Sequence, residues 1–196
     1  MINRKLSVFF FILVALVQLY VPVKMIFDRE NVLETGAEFK FKTAPIDPND
    51  PFRGKYITLN YLDNNYRVKD DGSWVDGESV FVTFLNNKDG FAFIGAVSKE
   101  KPLNSQDFLK TKMRLIHPDN FDSKVKLLIE YPFDRYYMGE FKANDAELAY
   151  NKSLQDTTRI TYALVMIKNG DAVLKDVLID GISIEEIVRT DQLNKN

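Results

Sequence analysis

Arg159-Ile160-Thr161-Tyr162-Ala163-Leu164-Val165-Met166-Ile167-Lys168-Asn169-Gly170-Asp171-Ala172-Val173-Leu174-Lys175-Asp176-Val177-Leu178-Ile179 is the stretch that decides the fold. Two runs rich in β-branched and other apolar residues flank Asn169-Gly170. That dipeptide suits a two-residue hairpin turn, which needs positive φ at both central positions. The stretch therefore predicts antiparallel strands at 159–168 and 171–179. The same grammar recurs upstream. Residues 80–85 and 91–97 flank Asn86-Asn87-Lys88-Asp89-Gly90, a second hairpin with a glycine-containing loop. Phe39 and Phe41 alternate with Glu38, Lys40 and Lys42, and Val125, Leu127, Ile129 and Tyr131 alternate with Lys124, Lys126 and Glu130. Period two of this kind marks half-buried strands. Further strands are expected at 55–62 and, more weakly, at 111–116. Helical signals are sparse: a brief helix at 105–110, and a capped turn in which Asn144 and Glu147 lead into Leu148 and Tyr150. Glu34 to Gly36 and the polar residues 63–77 read as connections. The prediction is a mainly β domain, an antiparallel β-sandwich or open barrel with few short helices. Periodicity does not choose between the two.

The N-terminus obeys a different pattern. After Met1-Ile2-Asn3-Arg4-Lys5 comes an apolar run that Leu6 opens and Phe27 closes, interrupted by Ser7, Gln18, Pro22 and Lys24. Residues 6–23 alone, as helix, span about 27 Å, close to the hydrocarbon thickness of a bilayer. Lys24 can reach the headgroups along its aliphatic stem. A cleaved signal peptide wants small residues at its exit, and Tyr20-Val21-Pro22-Val23-Lys24-Met25 offers bulky ones. A buried core helix is seldom apolar on all faces. The reading is an uncleaved transmembrane anchor. The expected organisation is a cytoplasmic N-terminus at 1–5, an anchor in the lipid bilayer at 6–27, a linker at 28–36, an extracytoplasmic β-rich domain at 37–190 and a tail at 191–196. Arg4 and Lys5 before the span place the domain outside, by the positive-inside rule. In a Gram-negative cell that means the inner membrane with the domain in the periplasm.

Composition removes several classes of function. At 196 residues, with 45% hydrophobic and 28% charged residues, the chain holds one anchor and one domain of ordinary size. A net charge of -2 gives no electrostatic footprint for nucleic acid. The chain has no cysteine, so disulfides, thiol catalysis and a lipid-modified cysteine are excluded. His117 is the single histidine. Followed by Pro118, it reads as a surface or structural residue rather than a general base. No G-x-S-x-G, Walker A or H-E-x-x-H pattern occurs. No cofactor is expected. Asp47, Asp50 and Asp134 are hard-oxygen groups, but they lack EF-hand spacing, so no metal site is expected. Tyr136, Tyr137 and Trp74 read either as an aromatic ligand surface or, at least as well, as buried or interfacial packing residues.

The most unusual local sequence is Ala44-Pro45-Ile46-Asp47-Pro48-Asn49-Asp50-Pro51-Phe52-Arg53-Gly54-Lys55-Tyr56-Ile57-Thr58-Leu59-Asn60-Tyr61. Its three prolines fix φ and push their predecessors to extended forms. Gly54 permits a sharp turn before the strand. Pleating then puts Ile57, Leu59 and Tyr61 on one face and Tyr56, Thr58 and Asn60 on the other. A second block, Tyr131-Pro132-Phe133-Asp134-Arg135-Tyr136-Tyr137-Met138-Gly139-Glu140, shares its mix of aromatic, acidic and arginine residues.

On these blocks the chain resembles the family named for a GDYXXLXY motif. Gly54, Tyr56, Leu59 and Tyr61 match at the required spacing; Lys55 stands where the family has aspartate, and Phe141 where it has glycine. The resemblance implies a membrane-anchored bacterial protein with an uncharacterised extracytoplasmic domain, and a multi-pass membrane protein as partner. If the family's aspartate were an obligate catalytic acid, Lys55 would abolish its chemistry. Two functions stay open. One is a non-enzymatic interaction domain, favoured by the retained anchor and the lack of a catalytic constellation. The other is an envelope ligand-binding or enzymatic domain in which Asp47, Asp50, Arg53, Arg135 and Glu140 form one site, since arginine binds carboxylate or phosphate bidentately. Against that, such arginines commonly pair with nearby acids and brace loops. Gly54, Tyr56, Leu59, Tyr61, Tyr136 and Tyr137 are read as motif residues with structural roles. The two functions differ in one spatial expectation: whether the two blocks meet.

Overall fold

The computed structural model of the protein describes residues 4–44, 56–103, 105–116 and 124–194. Helix α1 (Arg4–Thr35) carries the apolar run. It is long and apolar enough to cross a membrane, and none of its apolar window is buried against the rest of the chain. Phe11 and Phe27 are 73% and 70% exposed. A core helix would have covered these rings, so that alternative falls. Pro22 lies inside the helix; membrane helices tolerate such breaks in the hydrogen-bond ladder better than soluble ones. Residues 28–36, expected to be a linker, are helical through Thr35. At about 1.5 Å per residue, residues 28–35 add about 12 Å of helix beyond the span. That segment is packed rather than loose: Val32 is buried, and Arg29 donates through Nη1 to the Ala172 carbonyl at 2.8 Å. Gly36 then turns the chain into the domain. A Cβ there would lie 2.6 Å from the Val32 carbonyl oxygen and 3.1 Å from that of Ile167. Only glycine allows the helix to approach the sheet this closely.

The domain is built from two five-stranded antiparallel sheets. The first is formed by β1 (Ala37–Ala44), β3 (Asn60–Tyr61), β10 (Thr161–Lys168), β11 (Asp171–Ile179) and β12 (Ile182–Ser183), in the order β12-β11-β10-β1-β3. The second takes β4 (Asn65–Lys69), β5 (Ser79–Asn86), β6 (Ala92–Ser98), β7 (Phe108–Ile116) and β8 (Lys124–Glu130), in the order β4-β8-β7-β5-β6. A short ribbon pairs β2 (Tyr56–Thr58) with β9 (Arg135–Tyr137). The sheets curl toward closure, so of the two architectures expected the barrel is the better description. β6 packs beside β1, with the Phe91 and Tyr162 rings 5.5 Å apart and the Lys42 ammonium 4.4 Å from the Phe91 ring. Elsewhere the turn between β10 and β11 is clasped by the start of β7, where Gly170 N–H donates to the Phe108 carbonyl at 2.8 Å and Lys110 N–H to the Gly170 carbonyl at 2.9 Å.

The predicted periodicities appear as burial. Phe39 and Phe41 of β1, Val125, Leu127 and Ile129 of β8, and Ile57, Leu59 and Tyr61 all face the interior. Between the sheets lies an aromatic centre. Phe41 meets Phe84 at 5.0 Å and Phe133 at 5.2 Å, and Tyr131 stacks on Phe133 at 5.0 Å. Offset and edge-on packing of this kind adds to the value of the buried area alone. The Asn169-Gly170 hairpin forms as read, with φ of 52° and 98°. Asp180-Gly181, at φ 54° and 84°, makes a second hairpin into β12; the same dipeptide rule covers it, but the sequence reading stopped at Ile179.

Other expectations are corrected. The strand expected at 55–62 divides at Leu59, because β2 pairs with β9 while β3 pairs with β1. The helix expected at 105–110 is absent. Phe108 and Leu109 are buried where β7 pairs with β5, and burial of both side chains favours the strand. Residues 63–77 contain β4, an edge strand whose polar alternation hid it. Asn144 caps nothing: α2 (Glu140–Gln155) begins after Gly139 and has Asn144 in its interior. A further helix, α3 (Ile184–Asn194), reaches into the expected tail. It buries Ile184 and Val188 and packs on α2.

Candidate functional site

The two sequence blocks meet. In the β2–β9 ribbon Tyr56 lies opposite Tyr137, Ile57 opposite Tyr136 and Thr58 opposite Arg135. The contact continues past the ribbon, where Leu59 N–H donates to the Asp134 carbonyl at 2.7 Å and the Tyr61 hydroxyl donates to the Phe133 carbonyl at 2.7 Å. The inner face of the motif is thus a latch. Ile57, Leu59 and Tyr61 are 1%, 2% and 5% exposed, and burial pushes the Tyr61 pKa well above the usual tyrosine value. Tyr131 donates to the Asp63 carbonyl at 2.6 Å, and its pKa is also raised, chiefly by burial. Tyr136 ties the ribbon to β11 through Asp176 Oδ1 at 3.2 Å; the same oxygen accepts from Ser183 Oγ and from Val177 N–H. Burial first, and Asp176 second, raise the Tyr136 pKa.

The outer face is different. Tyr56 and Tyr137 pair with ring centroids 5.4 Å apart, and the Arg135 guanidinium lies 5.1 Å from the Tyr56 ring. Tyr137 is 64% exposed. Arg135 is held loosely: its Nε is 4.0 Å from Asp134 Oδ1, and both side chains are about half exposed. A hydrogen bond with Tyr137, then the proximity of Tyr56 and Asp134, raise its pKa. Two tyrosines and an arginine in this form make a surface platform, not an enclosed catalytic cavity.

Beside the ribbon runs a groove of about 560 Å³. The first block contributes Asn60 to its wall and the second Asp134, while Lys112, Arg114 and Glu130 come from β7 and β8. Arg114 Nε is 3.3 Å from Glu130 Oε1, so much of this charge is internally matched. Under α2 lies a buried polar set. Ser153 and Thr161 share a hydroxyl contact of 2.7 Å, and Thr43 Oγ1 donates to the Thr161 carbonyl at 3.0 Å. The neighbouring Tyr150 hydroxyl is buried with no well-formed hydrogen bond, although Thr43 and the Asn60 backbone lie near it. Burial pushes its pKa up to about 12.

Of the expected binding set, Arg135 alone is placed with its side chain. Asp47, Asp50, Arg53 and the motif residue Gly54 lie outside the described residues, as do Lys55 and His117. Glu140 begins α2, and its side chain is not among those described. Sequence reasoning put Tyr56 on the face opposite the core residues and weighed Tyr137 as part of an aromatic surface, but it did not see that the two rings pair across the ribbon. It also missed Phe141, which is 94% exposed at the start of α2. Among the described residues, no group of three or more acids or histidines is placed to hold a metal ion.

The model of the family described as GDYXXLXY protein matches residues 18–177. The chain belongs to the GDYXXLXY family. The matched span runs from inside α1 to inside β11 and contains both blocks. In this GDYXXLXY protein, the defining Tyr and Leu residues therefore do two jobs: Leu59 and Tyr61 close the core, and Tyr56 faces outward with Tyr137. No curated protein and no solved structure matches the chain.

Proposed function

We propose that this GDYXXLXY protein is a membrane-anchored extracytoplasmic interaction module. Its motif ribbon docks a membrane or envelope partner, a multi-pass membrane protein being the first candidate. The observation that carries this reading is where the ribbon sits. β1 leaves the anchor at Ala37 and pairs with β3 only at Thr43 and Ala44, its far end. Seven strand steps of about 3.3 Å along β1 put the β3 end of the motif about 23 Å from the helix exit. The Tyr56, Tyr137 and Arg135 platform lies on the ribbon that leads into that end, and Tyr136 ties the ribbon to β11. Tyrosine and arginine are the residue types most enriched at the energetic centres of protein interfaces. The anchor confines the domain to one membrane face, which raises its effective concentration toward a partner in the same bilayer. Arg4 and Lys5 ahead of the span support export of the domain.

The test is co-purification in mild detergent. The intact chain should bring down a stoichiometric partner, and the Arg135→Ala/Tyr137→Ala variant should lose it while keeping its circular dichroism and urea midpoint. A variant that retains the partner at full yield removes the platform from the account. A C-terminal reporter that is active in the cytoplasm would reverse the orientation.

A further inference from the structure

The end of the domain nearest the anchor carries a second surface, placed by the docking of α1. Arg29 stands two residues past Phe27 and is bonded to the Ala172 carbonyl, while Lys168 Nζ reaches Thr35 Oγ1 at 2.6 Å. The β10–β11 hairpin therefore flanks the last turns of α1, with its tip on the side from which the helix emerges. That tip holds the β6–β7 connection, since Asn169 N–H donates to the Gln106 carbonyl at 2.6 Å. Between them lies a groove of about 360 Å³ lined by Phe81, Lys101, Phe108, Lys110, Asn169 and Asp171. The Lys101 ammonium sits 5.6 Å from the Phe108 ring, and Lys110 is exposed. Two residues beyond Lys101, Leu103 is 96% exposed. A leucine so bare, beside two lysines at the exit of an apolar helix, matches the pattern of residues that enter a bilayer interface.

We propose that this end of the domain rests on the phospholipid surface. Lys101 and Lys110 hold a lipid phosphate in the groove, Asp171 faces the amine of a zwitterionic headgroup, and Leu103 enters the boundary with the acyl chains. Glu100 and Asp107 share the connection with Lys101, so the contact is with headgroups one at a time rather than with a broad negative field. It rests on the reading of α1 as a bilayer span. Its consequence is mechanical: the domain stands upright instead of tumbling, and the motif platform is kept at a fixed height.

The chain has no cysteine, so single cysteines can be labelled uniquely. Full-length Leu13→Cys, Leu103→Cys and Tyr137→Cys would carry an environment-sensitive fluorophore in nanodiscs of phosphatidylethanolamine and phosphatidylglycerol containing spin-labelled quencher lipid. Quenching is expected at positions 13 and 103, and at least about fivefold less at 137. A position-103 probe as unquenched as the one at 137, with 13 quenched, overturns the proposal. An unquenched probe at 13 instead overturns the anchor and the proposal with it. Adding Lys101→Glu and Lys110→Glu to Leu103→Cys should lower the ratio of docked to undocked domain by at least about fivefold per lysine. Unchanged quenching would overturn the phosphate assignment.

Discussion

Replacing Tyr61 with phenylalanine removes one oxygen atom from the centre of the latch. In the native protein that oxygen donates to the Phe133 carbonyl at 2.7 Å, and both residues are nearly fully buried. The ring contacts to Phe41, Tyr131 and Phe133, at 5.9, 5.3 and 5.3 Å, survive the change. What is lost is the bond, and a buried acceptor is left without its donor. Such losses cost about 1–3 kcal/mol. Tyr150→Phe is the matched control. Its hydroxyl is equally buried but lacks a well-formed bond, so its removal should change stability by between zero and a gain of about 1 kcal/mol. With a urea slope of about 2 kcal/mol per M, the Tyr61→Phe midpoint should fall by roughly 0.5–1.5 M while that of Tyr150→Phe stays or rises. The assay is equilibrium unfolding of the full chain in non-ionic detergent, followed by near-ultraviolet circular dichroism. Equal midpoints for wild type and Tyr61→Phe, or an equal fall in both variants, would refute the latch.

Three other outcomes follow from the same contacts. Tyr61, Tyr131 and Tyr136 all have raised pKa values, chiefly through burial. Below about pH 10 both folded and unfolded chains keep these protons and no linkage exists; above it the unfolded chain ionises first, so stability should fall by about 1.4 kcal/mol per pH unit for each of the buried Tyr61 and Tyr131, and by less for the half-buried, solvent-screened Tyr136. Urea midpoints that stay constant from about pH 9 to pH 11 would contradict this. Gly36→Ala drives a methyl against the Val32 and Ile167 backbone, with an expected loss of about 1–3 kcal/mol and faster proteolysis between α1 and β1. Gly170→Ala places a side chain at φ 98° and 3.2 Å from Lys110 Cβ; it should destabilise by at least about 1 kcal/mol, and a neutral result would mean that the clasp between the hairpin and β7 does not hold the turn.

Local features were legible in the sequence, and non-local ones were not. Asn169-Gly170 announces its hairpin because the turn chemistry is contained in two residues. Ile57, Leu59 and Tyr61 declare a common face because pleating is local. That this face is closed by Phe133 and Asp134, more than seventy residues away, is invisible to periodicity, which gives faces but not partners. β4 was hidden because an edge strand can afford Asn65, Arg67 and Lys69. α3 carried readable signals, with Ile184, Ile187 and Val188 at helical spacing and Glu185 and Glu186 in the first turn, but its shortness kept it from standing out, and only 191–196 was read as tail. For the site, charge drew attention to Arg135. Its half-exposed setting over Tyr56 could not be known until the β2–β9 pairing was seen.

The central claim is that the outward face of the motif ribbon is a partner-binding surface. Photo-crosslinking in living cells tests it most directly, with a photoreactive amino acid at Tyr137 in one strain and at Asp89, exposed in the β5–β6 hairpin, in another. One discrete adduct is expected from position 137, lost on Arg135→Ala, and none from position 89. No adduct at 137, or the same adduct from both positions, would contradict it.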